Sequence, residues 1–273
     1  MMISSELSDR NFRRFSNLVY ENCGINLHDG KKELVRARLG KRLRKTGCKD
    51  FNAYFELLNE DADKWELVHM LDAISTNQTF YFREEKHFEF LKETVFPSYT
   101  VSPLHPLRFW SAGCSSGEEP YSLAIWLMEY FEETAPFDVK ILGTDISTKV
   151  LAAAERGVYP EKQLTKVPKH QLRKYFQRGF GRQEGYFRVK QQLKEMVEFK
   201  RHNLVDSFNF EEAFHLIFCR NVMIYFNNKT RQSLIDNFYD CLENGGYLLI
   251  GHAESLTGIK HRFRYVQPSV YKK

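Results

Sequence analysis

Two adjacent carboxylates, Glu118 and Glu119, stand directly behind a glycine-bearing segment, Ser111-Ala-Gly113-Cys-Ser-Ser-Gly117. About thirty residues further on an aspartate, Asp145, closes the apolar run Val139 to Thr144. An apolar run, a glycine turn and an amphipathic stretch read as strand, turn and helix, an order that gathers ligands at the carboxyl end of the strand. Dinucleotides, nucleotides and S-adenosylmethionine all use such a turn, and the acids separate them. A pyrophosphate at a helix start is held by free N–H groups and the positive helix end, and two carboxylates in that first turn would repel it. S-adenosylmethionine carries no phosphate but an ammonium, a carboxylate and a sulfonium, so an acid there can pair with a cation. The same acids would also stabilise a helix start through its dipole. Asp145 sits where an acid hydrogen-bonds ribose hydroxyls; it could equally cap the following helix, a job for which Ser147 competes.

Further along, Asn203-Leu204 ends the strand expected at Val197 to Arg201, an amide and an apolar side chain able to bracket an adenine. The run Phe214 to Cys219 leads into Arg220-Asn221-Val222-Met223-Ile224-Tyr225-Phe226. Enzymes that methylate nucleic-acid bases place an Asn or Asp before two prolines and an aromatic at this point. The missing prolines argue against a base as acceptor.

These residues need a scaffold, and 273 residues suffice for one large α/β domain and a small helical one. Residues 1 to about 75 carry helical periodicity (Phe12, Phe15, Leu18, Val19; Val35, Leu39, Leu43; Phe51, Tyr54, Phe55, Leu58), punctuated by Gly24, Gly30 and Gly47. That spacing predicts about four short helices. From residue 107 the pattern changes to short apolar runs separated by amphipathic helices, the mark of a parallel sheet. Strands are expected at Leu107 to Ser111, Val139 to Thr144, Val197 to Arg201, Phe214 to Cys219 and Tyr247 to Gly251. Gly245-Gly246 reads as a helix stop before the fifth, and Phe263 to Tyr271 as a strand pair at the sheet edge. Between the second and third strands, Leu172 to Glu195 reads as an antiparallel hairpin broken by Gly179, Gly181 and Gly185.

Four segments together resemble the chemotaxis receptor protein-glutamate methyltransferases, the CheR family. They are Thr76-Asn-Gln-Thr-Phe-Tyr-Phe-Arg83-Glu84, Ser111 to Ser122, Phe218 to Phe226 and Gly251-His-Ala-Glu-Ser255. The resemblance runs over essentially the whole chain, with Ala253 a departure where many relatives have Ser. It implies a class I methyltransferase Rossmann-like sheet with a small antiparallel β insert (about 172–196), preceded by an all-α N-terminal domain. The implied division is 1–78 helical, 79–94 a linker reaching the cofactor site, and 95–273 the catalytic domain that binds S-adenosylmethionine. Its cofactor pocket would comprise Asn77, Thr79, Arg83, Glu119, Asp145, Asn203, Leu204, Asn221 and Val222. Arg83 and Tyr225 are the expected catalytic residues, the arginine fork steering the acceptor carboxylate.

Charge is most uneven from Lys31 to Lys49, nine cations against the single acid Glu33. Arg38, Arg42 and Lys45 recur at helical spacing on one face and are expected as an exposed docking surface for the acidic helices of methyl-accepting receptors. A nucleic-acid methyltransferase using this stripe against phosphates, or a cofactor-binding module without catalysis, are the alternatives. The first twenty residues lack the apolar core of a signal peptide, and the longest apolar run, Leu123 to Met128, is far too short to span a bilayer. Five cysteines with no C-x-x-C pair read as reduced thiols, without disulfide or zinc. The expectation is a cytoplasmic, metal-free enzyme, monomeric, that binds no nucleic acid.

Overall fold

A computed structural model describes residues 6–99, 106–131 and 139–273; the parts of the expected domains at 1–5, 100–105 and 132–138 lie outside the described residues. The chain opens with four helices, α1 (Asp9–Cys23), α2 (Lys32–Thr46), α3 (Phe51–Glu60) and α4 (Trp65–Ile74). Their apolar stripes meet in one core, in which Phe15, Val19, Val35, Leu39, Leu43 and Tyr54 are fully buried. Ser8 and Asp50 cap the starts of α1 and α3 with side-chain oxygens, and Gly24 and Gly47 end α1 and α2 in the left-handed conformation. An extended linker from Ser75 leads to α5 (Glu85–Phe90), a π-helical turn (Leu91–Val95) and α6 (Phe96–Tyr99).

The remainder alternates β1 (Leu107–Ala112), α7 (Glu118–Phe131), β2 (Val139–Asp145) and α8 (Thr148–Arg156), then a small unit. That unit holds β3 (Val158–Pro160), α9 (Lys169–Tyr175), β4 (Phe176–Arg178), β5 (Tyr186–Val189) and α10 (Gln191–Lys194). The main sheet resumes with β6 (Val197–Arg201), β7 (Phe214–Cys219), α11 (Asn228–Cys241), β8 (Leu242–Ile250), β9 (Arg264–Gln267) and β10 (Val270–Lys272). Seven strands run in the order β6-β2-β1-β7-β8-β10-β9; the first five are parallel and the terminal hairpin is antiparallel. Each face of the sheet carries its own apolar layer, one under α7 and the small unit, the other under α11. Because β1 lies between β2 and β7, the crevice where connections leave in opposite directions opens at the carboxyl end of β1.

Two expectations change. The insert is a three-stranded sheet, β3-β5-β4, since Val158–Pro160 pairs antiparallel with Tyr186 to Arg188. Nor does Gly245-Gly246 stop the helix. The chain leaves α11 at Cys241 and enters β8 at Leu242; the glycines fall inside that strand, where the register against β7 shifts and the backbone bonds Lys273.

Candidate active site

The glycine turn after β1 is fixed before any ligand arrives. Gly113 and Cys114 both donate their N–H to Thr144 O at 2.8 Å, and Ser115 donates to Asp145 Oδ2 at 2.9 Å. Gly113 has φ +84°, and a Cβ there would come within 2.4 Å of Val222 Cγ2, so only glycine lets this turn close against the opposite wall. Asp145 is 7% exposed and its other oxygen accepts Ser147 N–H at 2.9 Å; burial raises its pKa against the pull of these donors. It thus binds the N–H of Ser147, the N-cap of α8, and ties both loops of the crevice together.

Glu118 and Glu119 begin α7 with different fates. Glu119 accepts Ser111 Oγ at 2.6 Å and Arg220 Nε at 2.7 Å, on the cavity wall. Glu118 is fully buried away from the cavity; Ser116 Oγ donates to one of its oxygens while the other has no partner, and burial raises its pKa. Arg220, 5% exposed, is the hub that sequence reasoning missed. Besides Glu119 it donates to Arg83 O at 2.6 Å and to His87 Nδ1 at 3.1 Å, and it lies 3.6 Å from Glu84. Its partners stand 101, 137 and 133 positions away, which no local pattern reveals. Burial, reinforced by Arg220 and His252, pushes the His87 pKa down to about 3. Glu84, His87 and His252 bring groups of metal-ligating type within 4.8 Å of one another, and the Arg220 guanidinium supplies positive charge beside them.

Across the crevice, Asn221 adopts φ +61° and is among the residues lining the cavity, while its side-chain Oδ1 is buried without a hydrogen-bond partner. Glu254, also unforeseen, holds this turn by accepting N–H groups of Gly251 (2.7 Å), Asn221 (2.9 Å) and Ile224 (3.2 Å). Asn203 donates its amide to Asn22 O at 2.7 Å, at the end of α1, and leaves its carbonyl to the cavity, beside Leu204. The bundle closes the other side: Asn26 N–H donates to Tyr225 O at 2.8 Å, and Ser115 Oγ to Asn77 O at 3.0 Å. A cavity of about 290 Å³ results. The structure brings Asn77, Thr79, Arg83, Glu119, Asp145, Asn203, Leu204, Asn221, Val222 and Tyr225 together on its walls.

The expected docking face is corrected. Arg38 lines the cavity and donates to the carbonyls of Ile74 and Ser75 and to Thr76 Oγ1, closing the end of α4. Arg42 forms a two-pronged pair with Glu66, at 2.9 and 2.5 Å, with Tyr54 Oη on the same carboxylate. Both are half-buried structural cations; Lys45 alone of the three is exposed. Helical spacing shows which residues share a face and not what that face meets.

The crevice suits S-adenosylmethionine better than a pyrophosphate: the carboxylate of Glu119 stands on the cavity wall at the helix start, and the N–H donors of Gly113, Cys114 and Ser115 are already engaged. Fold and site define an S-adenosylmethionine-dependent methyltransferase. Residues 77–272 match the family profile described as CheR methyltransferase, SAM binding domain, and residues 10–75 that described as CheR methyltransferase, all-alpha domain. The chain is 46% identical over 266 residues to the chemotaxis protein methyltransferase of Borreliella burgdorferi, spanning 95% of this chain and 93% of the relative. It is 39% identical to that of Escherichia coli, spanning 97% and 91%, and 37% identical to chemotaxis protein methyltransferase 2 of Pseudomonas aeruginosa, spanning 95% and 91%. The chain belongs to the CheR methyltransferase family, and its activity is methyl transfer from S-adenosylmethionine in chemotaxis. Among the described residues no helix is long and apolar enough to cross a membrane.

Proposed function

We propose that the enzyme esterifies glutamate side chains on the acidic cytoplasmic helices of methyl-accepting chemotaxis receptors. The observation that carries this reading is the contrast between two arginines. Arg220 is neutralised by Glu119 and Glu84, whereas Arg83, on the cavity wall, donates to Gln78 O at 3.0 Å, lies over the Phe80 ring and has no acid partner among the described residues. An anion is the complement it lacks. Glutamate, with a pKa near 4.3, arrives ionised at neutral pH and requires no general base.

Glu119, Asp145, Asn203, Leu204, Asn221 and Val222, with Asn77 and Thr79 from the linker, are the residues that would hold the cofactor. When bound, S-adenosylmethionine supplies a methyl group that an anionic oxygen can take as the carbon–sulfur bond breaks and the sulfur keeps the electron pair. The protein's part is alignment, worth up to roughly 7–11 kcal/mol in favourable cases. Arg83 fixes one carboxylate oxygen and leaves the other free to react, and Tyr225 borders the same space. The functional division follows: the segment after Ser75 belongs to the active site, while the bundle before it serves recognition. A cytoplasmic, monomeric, metal-free enzyme is the simplest form of this reading. Phosphate binding is disfavoured, since Arg38 and Arg42 are engaged internally.

The test is incubation with methyl-labelled S-adenosylmethionine and receptor-containing membranes, then alkali. Base-released labelled methanol is expected; label in RNA, or an alkali-stable product, would overturn the assignment.

A further inference from the structure

Trp65 is 70% exposed at the first position of α4, in a helix whose other apolar residues are largely buried. Its surroundings follow from the register of α2 against α4. Arg38 reaches Ile74 and Ser75 at the end of α4, and Arg42, one turn later, reaches Glu66 near its start. The helices therefore run antiparallel, and Lys45, the next residue of that stripe, falls toward the end of the seam where Trp65 begins α4. Lys41, Arg44 and Lys45 are exposed and have no acid partner among the described residues. One end of the seam is thus an exposed aromatic side chain with the cations of α2 to one side and the exposed Glu60 and Asp63 just ahead of it in sequence. The other end is the cavity, which Arg38, Ile74, Ser75 and Thr76 line. Between them α4 rises nine residues, about 13–14 Å.

We infer that Trp65 is the apolar anchor of the acceptor helix, which lies along the seam between α2 and α4. The partner is an acidic amphipathic helix, chosen by charge complementarity with Lys41, Arg44 and Lys45. Its reactive glutamate enters the cavity mouth while an apolar residue two to three turns away, about nine positions along the helix, covers Trp65. Exposed tryptophans that become buried dominate binding energies in interfaces, with flanking charges setting the encounter rate. The inference rests on the glutamate-acceptor reading above and adds the surface that selects the acceptor.

The experiment measures initial rates of receptor-membrane methylation for wild type, Trp65→Ala, Trp65→Phe and Lys45→Glu, with calorimetric affinity for S-adenosylhomocysteine and circular dichroism as controls. Trp65→Ala should raise KM for receptor at least ten-fold while kcat and cofactor affinity hold. Trp65→Phe should recover most of the loss, and Lys45→Glu should weaken association chiefly at low salt. Because Trp110 is fully buried and Trp126 half-buried, a synthetic peptide of a receptor methylation helix should blue-shift the emission of Trp65, a change absent from Trp65→Phe. A folded Trp65→Ala enzyme with wild-type KM, or a peptide titration without a Trp65 signal, overturns the anchor. If wild type itself releases no methanol from receptor membranes, it is the acceptor reading that falls.

Discussion

The two walls of the cavity differ in how much of their polar chemistry is already spent. On the sheet side, Asp145 accepts two backbone N–H groups, Glu254 three, and Glu119 a hydroxyl and a guanidinium. On the linker side Arg83 leans on one carbonyl, Gln78 O. The first wall is preorganised around a ligand of constant shape; the second keeps a cation in reserve for a variable one. On the reading proposed above, the sheet wall together with Asn77 and Thr79 serves the cofactor, and Arg83 is the cation kept for the substrate.

The largest effect should come from breaking the hub on the preorganised wall. Arg220→Met removes the donors to Glu119 and to Arg83 O and leaves a buried carboxylate unpaired, a change costing roughly 3–5 kcal/mol. Urea denaturation would reveal it, and an unchanged midpoint would mean that the pair is dispensable. Asp145→Ala should lower affinity for S-adenosylhomocysteine by roughly 1.5–3 kcal/mol, the worth of a charge-assisted hydrogen bond, and loosen the glycine turn. Titration calorimetry on a folded variant checks it, and retained affinity would move the ribose elsewhere. On the other wall, Arg83→Lys keeps the charge and loses the fork, so kcat should fall about ten-fold, near 1.4 kcal/mol, at saturating cofactor. Tyr225→Phe should fall less. Were Arg83→Lys to weaken cofactor binding instead of turnover, the division between the walls would be wrong.

The smallest effect concerns Glu118. Its pKa in the folded state lies above the ordinary value of 4.5 because burial disfavours the charge. Folding therefore takes up a proton: stability is fully present below about 4.5 and is lost as pH rises through the folded pKa. Glu118→Gln should be the more stable protein at neutral pH, by roughly 2–4 °C in Tm for each kcal/mol recovered, and the gain should vanish in acid. A Tm difference independent of pH would show that Glu118 is not held against its charge.

Much of this was legible in the sequence for definite reasons. Apolar runs marked β1, β2 and β7 because strands buried on both faces cannot hide their composition, whereas the edge strand β6 shows only Val197 and Phe199 alternating with charged residues. Asp145 was visible because it closes the second strand of the sheet, whereas the pair Glu118-Glu119 was visible at the helix start and only the family resemblance separated Glu119 from its neighbour. Val158–Pro160 was not visible, since three residues including a proline form a strand only when Tyr186 to Arg188 pair with them. Arg220 and Glu254 escaped because most of their partners lie thirty or more positions away, and Arg42 because the acid that consumes it lies on another helix.

Three of the bonds joining the bundle and linker to the sheet, Asn26 to Tyr225, Asn203 to Asn22 and Ser115 to Asn77, gather around one cavity, while Asp72 to Thr148 and Tyr20 to Asn227 lie outside it. A ligand seated there touches both sides of the joint and acts as its mortar. Occupancy and domain docking are then a single equilibrium, and at ligand concentrations well above Kd the enzyme gains cohesion in proportion to the logarithm of that excess. A cell rich in methyl donor thereby holds the bundle and the sheet of this enzyme together as one cooperative unit.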